Sequence, residues 1–201
     1  MINGTFKSID DLRRSIEAPG HANPDYAKKM IHQVPELPTV KDRAAYLIAK
    51  AKDRVVLDIG CTGPISLAIR KAAKGYYGID KVAADGIEAV ELDHRPDLMP
   101  VHEDVDLVIA SEVLEHLSNP GYFLLALQKL YCGVETYITV PNAGAYSVKD
   151  GCELVNAEHV CWYSYQTLKA LLTRYEFKIE ESRWFNGPPF KAEGIIMRVV
   201  P

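Results

Sequence analysis

The sequence lacks the features that would send it into a bilayer or out of the cell. No run of about 18 apolar residues occurs, so no membrane-spanning helix is expected. The opening stretch MINGTFKSIDDLRRSIEAPG has no apolar core of signal-peptide length. Cysteine is scarce: Cys61, Cys132, Cys152 and Cys161 are the only four, and no two form C-x-x-C, which argues against a zinc module. Isolated thiols of this kind read as reduced and imply an intracellular, cytoplasmic protein. A strong excess of one charge is missing too. The formal net charge is −4, and the basic pairs Arg13-Arg14, Lys28-Lys29 and Arg70-Lys71 do not alternate with aromatics. Neither the totals nor the spacing calls for a nucleic-acid partner. Internal repeats and low-complexity tracts are absent, and nothing in the sequence fixes an oligomeric state.

What remains is an ordinary globular composition, 48% hydrophobic and 25% charged over 201 residues, which suits one compact domain. The character of the chain changes near residue 52. Residues 1–51 are polar and proline-punctuated and are expected to form a helical lid segment. Helices are expected over 8–17, with Ser8 as N-cap, over 24–32, and over 40–50, where Ala44, Leu47, Ile48 and Ala51 make an apolar face.

Residues 52–201 alternate short apolar runs with helical patterns. Strands are expected at 54–59, 76–79, 87–92, 105–110, 134–140, 177–184 and 194–200. Helices are expected at 65–74, 121–131 and 165–175, the last with Leu168, Leu171 and Leu172 on one face. This alternation describes an α/β doubly wound parallel sheet. Two features are unusual. The connection DKVAADG leaves room for one helical turn at most, and the last two strands follow each other without a helix, as an antiparallel hairpin would.

The chemistry concentrates at strand ends. VVLDIGCTGP, residues 55–64, is a buried strand, a glycine-containing turn and a helix start. Such a turn brings backbone close to a ligand, and the helix offers free N–H groups. Asp80 ends the next strand 22 residues after Asp58, where an acid can accept hydrogen bonds from ribose hydroxyls. The turn lacks G-x-G-x-x-G, which argues against a dehydrogenase.

With SEVLEHL following the fourth strand, the chain resembles the class I S-adenosylmethionine (SAM)-dependent methyltransferases, and their small-molecule branch in particular. The matching segments are VLDIGCTG, YYGID, DLVIASEVLEHLSNP, TYITVPN and EHVCWYSYQTLKALLTRYEF, within residues 52–201. The resemblance implies a Rossmann-like three-layer sandwich around a seven-stranded, mostly parallel sheet of order 3-2-1-4-5-7-6 with strand 7 antiparallel. It also implies SAM as cofactor and S-adenosylhomocysteine as product. Carried over by position, Asp58, Gly60 and Gly63, with Cys61 and Thr62 between them, would shape the methionine pocket. Asp80, beside Lys81, would bind the ribose; Asp93 would lie near the adenine; Ser111 and Glu112 would line the floor beneath the methyl group. The family pattern D-x-G-x-G-x-G is altered, since Thr62 and Pro64 stand at its later positions. Pro64 suits a first helical residue.

On the acceptor side, Glu112, Glu115 and His116 would share one face if the segment turns helically. His116, with Glu115, could take a hydroxyl proton as the methyl moves. Alternatively, Glu112, Glu115, His116 and His159 could hold a divalent metal. The E-x-x-E-H pattern with a later histidine resembles metal-assisted quinone-biosynthesis O-methyltransferases and the enzymes that methylate 2′-oxygens at small-RNA 3′ ends. A third reading gives the segment a structural role only. Asn142 and His159 are candidates for orienting substrate, and the 143–164 stretch, with Tyr146, Trp162 and Tyr163, for covering it. Tyr26 and His32 could reach the site from the lid. The expected reaction is methyl transfer to a small-molecule acceptor, most readily an oxygen. RNA 2′-O-methylation and a non-catalytic cofactor-binding or partner subunit are the alternatives.

Overall fold

The computed structural model describes residues 35–143, 158–187 and 192–201. The helices expected at 8–17 and 24–32, the lid role with Tyr26 and His32, and Tyr146 and Cys152 all lie outside the described residues. From Leu37 onward the chain forms one compact unit. Its elements, in order, are β1 (Thr39–Val40), α1 (Arg43–Ala51), β2 (Val55–Ile59), α2 (Pro64–Ala72), β3 (Gly75–Asp80), β4 (Ile87–Ala89), β5 (Leu107–Ser111), α3 (Pro120–Leu130), β6 (Glu135–Pro141), α4 (Tyr165–Arg174), β7 (Lys178–Phe185) and β8 (Gly194–Val200). Single turns of 3₁₀ helix occur at Pro96–Leu98 and Leu114–His116.

The strands make one sheet of order β1-β7-β8-β6-β5-β2-β3-β4. Without β1 this is the expected 3-2-1-4-5-7-6 arrangement, and β8 runs antiparallel to both β6 and β7. The correction is one of count, eight strands among the described residues and not seven. Val40, expected to open a helix, instead pairs with Phe185 in the two-residue edge strand β1. Asp42 then caps α1 by accepting a hydrogen bond from the Ala45 amide at 3.0 Å, which fixes where the helix can start.

The sheet is covered on both faces. Leu47 and Ala51 of α1 and Ile69 of α2 join Val56, Leu107, Ile109, Tyr137 and Ile196 in one buried cluster. Their neighbours along the strands, Leu57, Val108 and Ile138, point to the opposite face by alternation and are also fully buried. Leu168 and Leu172 of α4 are buried as expected, whereas Leu171 is partly exposed.

At one edge, β4 stops at Ala89, shorter than the apolar run to Leu92 suggested. Residues 81–86 turn back without any helix, and Gly86, at φ +70, occupies the left-handed conformation the turn requires. At the other edge, β1 covers only Trp184 and Phe185 of β7. The rest of that strand carries Lys178, Glu180, Glu181 and Arg183, with Lys178 paired to Glu180 at 2.5 Å and Arg183 paired to Glu181.

Candidate functional site

A cleft of about 460 Å³ opens where β2, β3 and β5 end, at their carboxyl ends. Gly60, Thr62, Asp80, Lys81, Asp93, Glu112 and His116 all line it. Glu91 and Glu158 add two further acids, and Lys81 is the one lysine among the described residues of the lining. Such a wall repels polyphosphate and favours a cationic ligand.

Gly60 is the residue that makes the turn. Its φ is +76, and a Cβ there would come within 2.6 Å of the Val113 side chain. Its amide donates to the Ile79 carbonyl at 2.8 Å, tying the turn to β3. Gly63 is different: its backbone is extended, and a Cβ would meet nothing within 4 Å. Pro64 begins α2, as its fixed φ and missing N–H permit. Gly63, at the N-cap, makes no side-chain capping bond, as a glycine must.

Asp80 stands at the cleft with 8% of its surface exposed, and its Oδ1 accepts from the Lys81 amide at 2.7 Å. Asp58 is buried and is not part of the lining. Tyr76 donates to Asp58 Oδ2 at 3.0 Å, and burial pushes the Asp58 carboxyl up to about 6 against the opposing effect of bonds from Ser66 and Tyr76. Cys61 also points away, into the β2–β3 packing, with its Sγ 2.9 Å from where a Gly78 Cβ would lie. Burial, helped by the Asp58 charge, raises its thiol to about 11.

Asp93 lines the cleft, but its carboxylate is engaged. It accepts from the Ser118 amide at 2.8 Å, the Ser118 hydroxyl at 2.7 and 2.8 Å, and the Asn119 amide at 3.3 Å. Those bonds hold its carboxyl below the ordinary range, although partial desolvation pulls the other way. Ser111 lies outside the lining and shares a 2.9 Å hydrogen bond with Thr139. Asn142 is buried, donating from Nδ2 to the Ala192 carbonyl at 3.2 Å and from its amide to the Glu193 carbonyl at 2.9 Å. It joins the end of β6 to the start of β8, and it is absent from the cleft wall.

The segment after β5 does not form the helix that would put Glu112, Glu115 and His116 on one face. Glu112 sits at φ +59, which breaks the path, and only Leu114–His116 completes a turn. Glu112 instead reaches Arg43, 2.7 Å away, and accepts from the Thr139 hydroxyl at 2.9 Å. The Arg43 contact is an ion pair by distance whose N–H direction misses hydrogen-bond geometry.

Glu115, His116 and His159 do converge. One ligand atom from each lies within 4.8 Å of the other two. The Glu115 side chain is buried, and neither of its oxygens has a hydrogen-bond partner among the described residues. Desolvation, followed by the nearby Glu112 charge, pushes that carboxyl up to about 8. His116 places Nδ1 3.1 Å from the Glu158 carbonyl. A carbonyl only accepts, so Nδ1 carries a proton, and Nε2 is the nitrogen that holds the lone pair in the neutral ring. The His159 ring meets His116 edge-on at 4.8 Å, and burial lowers its pKa, with His116 adding to the effect. A buried carboxyl group with no hydrogen-bond partner among the described residues, beside two imidazoles, has the donor chemistry of a divalent transition-metal site. The Glu115 carbonyl, meanwhile, accepts from the Val160 and Cys161 amides at 2.8 and 3.0 Å, which fixes His159 beside the turn.

A family model described as a methyltransferase domain matches residues 26–182, well over half of the chain. The chain belongs to the methyltransferase domain family. A sequence search of curated proteins finds no match. Solved structures share the fold of this methyltransferase at low identity. A small RNA methyltransferase superposes with a TM-score of 0.64 at 14% identity, over 79% of this chain and 24% of that one. The Burkholderia thailandensis 1,6-didemethyltoxoflavin-N1-methyltransferase, crystallised with 1,6-didemethyltoxoflavin and S-adenosylhomocysteine, superposes with 0.57 at 13% identity, over 99% and 92% of the two chains. The Synechocystis PCC 6803 magnesium protoporphyrin IX methyltransferase, with bound SAH, gives 0.53 at 17% identity, over 78% and 79%.

Sequence reasoning missed three contributors to the site of this methyltransferase: Arg43, Thr139 and Ser118. Arg43 lies on a helix read only for its apolar face, and nothing in its spacing points to Glu112. Thr139 sits inside the β6 apolar run, and only the parallel register that sets Ser111 beside it reveals the contact. Ser118 follows EHL and could have been read as a capping residue, yet its partner, Asp93, lies 25 residues earlier in the chain.

Proposed function

We propose that this methyltransferase moves the methyl group of SAM to a hydroxyl oxygen of a small-molecule acceptor. The observation that carries the cofactor assignment is the Asp80 carboxylate at the end of β3, facing the same acidic cleft as the Gly60 turn. A ribose diol is a natural donor to that carboxylate. The sulfonium suits the acidic wall, and the N-terminus of α2 suits the carboxylate of the methionine part. Thr62 and Lys81 would border the cofactor, and Asp93 would act from the adenine side through a carboxylate already held by Ser118. Asp58, Cys61 and Ser111 would support the turn and the strand ends from behind.

In the transfer, the acceptor oxygen attacks the methyl carbon. A C–O bond forms as the C–S bond breaks, and sulfur keeps the electron pair to become the neutral thioether. Alignment of the three atoms supplies much of the rate. The hydroxyl proton must leave, and Glu115, His116 and His159 are the groups that handle it at this end of the cleft. They would hold a divalent cation, which when bound lowers the pKa of a hydroxyl in contact with it. Nε2 is the nitrogen His116 would present to the cation, because Nδ1 is committed to the Glu158 carbonyl. The region around His159 would position the acceptor, and Asn142 would act only from behind, by tying β6 to the residues before β8.

The same cluster favours a second acceptor, the 2′-hydroxyl of an RNA end. A terminal ribose offers two adjacent oxygens, and a cation held by three side chains keeps positions open for both. Incubation with labelled SAM and either small phenols or a short RNA separates the two readings.

The test of the cofactor assignment is a calorimetric titration with S-adenosylhomocysteine. Binding that weakens by about tenfold or more in Asp80→Ala is expected, since hydrogen bonds to a charged group contribute about 1.5–3 kcal/mol. An unaltered chain that binds none would overturn the reading.

A further inference from the structure

We infer that Arg43 takes Glu112 out of the cation-binding set, leaving a centre with three protein ligands, Glu115, His116 and His159. The inference rests on the cation reading above and concerns which acids serve it. The E-x-x-E-H spacing alone would enlist both glutamates, but the backbone at Glu112, its side-chain partners and the anchoring of Arg43 engage it elsewhere.

First, the backbone at Glu112 is left-handed, at φ +59, an uncommon conformation for a side-chain-bearing residue. It is held there by the Glu112 amide, which donates to the Thr139 carbonyl at 3.0 Å. The kink leaves Glu112 outside the 3₁₀ turn that carries Glu115 and His116.

Second, Glu112 Oε1 already has two cationic or donor neighbours. Arg43 Nη1 lies 2.7 Å away, and the Thr139 hydroxyl donates at 2.9 Å. Because Thr139 gives its proton to Glu112, the shared 2.9 Å contact between Ser111 and Thr139 must be donated by Ser111. A chain of hydroxyls therefore ends on the Glu112 carboxylate and orients it.

Third, Arg43 is itself fixed. It opens α1 directly after the Asp42 cap, and its guanidinium lies 5.0 Å over the ring of Phe185 at the end of β7. Both partners of the pair are only partly exposed, at 21% and 28%, so solvent screens the contact incompletely. The group of converging ligand atoms contains Glu115, His116 and His159, and Glu112 is not in it.

Two consequences follow for the cation. A three-ligand centre leaves several coordination positions for acceptor oxygens or water. The Arg43 charge also stands near the site, so it opposes cation entry while Glu112 neutralises it.

The experiment is a calorimetric titration of Mn²⁺ into the full chain, with no SAM or acceptor present. The unaltered protein should bind, and E115Q should lose binding. The double variant R43Q/E112Q removes both charges together and should bind Mn²⁺ within about threefold of the unaltered chain, because no ligand is lost. R43Q alone should bind about tenfold more tightly, because Glu112 is freed and a repelling charge is gone. A loss of about tenfold or more in R43Q/E112Q would make Glu112 a ligand and overturn the inference. Absence of binding by the unaltered chain would overturn the cation reading itself, and the inference with it. A crystal structure of the unaltered protein with Mn²⁺ asks the same question without substitutions, should the double variant fail to melt cooperatively. Arg43 should remain on Glu112, and Glu112 found on the ion would overturn the assignment.

Discussion

Tyr76 on β3 donates its hydroxyl to the Asp58 carboxylate on β2 at 3.0 Å, across paired strands and out of reach of the cleft. The bond lets an acid stay buried behind the cofactor turn, at an energetic cost that depends on pH. Burial raises the folded Asp58 carboxyl to about 6, above its unfolded value. The folded state therefore binds the proton more tightly, so the penalty is absent below the unfolded pKa and complete above the folded one. Asp58→Asn should make the ligand-free protein more stable at pH 7 by up to about 3 kcal/mol, from about two units at 1.36 kcal/mol each. The gain should fall to about half at pH 5. Urea denaturation of both proteins at the two pH values checks this; a gain that does not change with pH would rule out titration of Asp58 as its source.

The two glycines of the turn should respond oppositely. Gly60→Ala places a Cβ 2.6 Å from Val113 at φ +76, so it should cost about 1–3 kcal/mol and weaken S-adenosylhomocysteine binding. Gly63→Ala meets nothing within 4 Å and should stay within about 0.5 kcal/mol of the parent. Thermal melts with and without ligand distinguish the two; equal losses would contradict the assignment of Gly60 as the residue that shapes the turn.

Asp93 and Asp80 both line the cleft, but Asp93 is held by Ser118 and Asn119. Asp93→Ala should therefore weaken S-adenosylhomocysteine by only about threefold, against about tenfold or more for Asp80→Ala. A larger loss at Asp93 in the same titration would make its contact with the adenosine direct.

Two imidazoles and one carboxylate favour borderline cations over Mg²⁺. Methyl transfer measured after chelation should be restored by Mn²⁺ or Co²⁺ at lower concentrations than by Mg²⁺, and Glu115→Gln should abolish the rescue. Transfer unaffected by chelation would leave His116 acting as an unaided base.

The sheet was legible in the sequence because strands buried on both faces read as continuous apolar runs, as VVLDI and TYITV do. The antiparallel finish was legible because residues 177–200 offer two strands without a helix between them. The edge strand β1 was hidden, since two residues carry no period and its pairing partner lies far along the chain. At the site, Asp80, Gly60 and the Glu115–His116–His159 set could be found because each sits at a strand end or in a compact motif. The position of Glu112 could not be found. Helical spacing predicted a shared face, and a single left-handed residue removed it. Asp58, Cys61 and Asn142 show the same limit: they belong to motif positions, but their side chains point into packing that only the folded register creates.

The ion-paired run along β7 affects how copies of the chain meet. Among the described residues, Lys178–Arg183 has no strand on its outer side, which gives the sheet an open margin longer than the two-residue patch that β1 covers. An incoming strand from another copy would have to set its backbone against alternating Lys178, Glu180, Glu181 and Arg183, break their pairings and desolvate them together. Among the described residues, the margin is thus guarded against edge-to-edge pairing by charge. Removing the guard would take neutral residues at Lys178, Glu180, Glu181 and Arg183 together, since either sign left alone still repels a copy of itself.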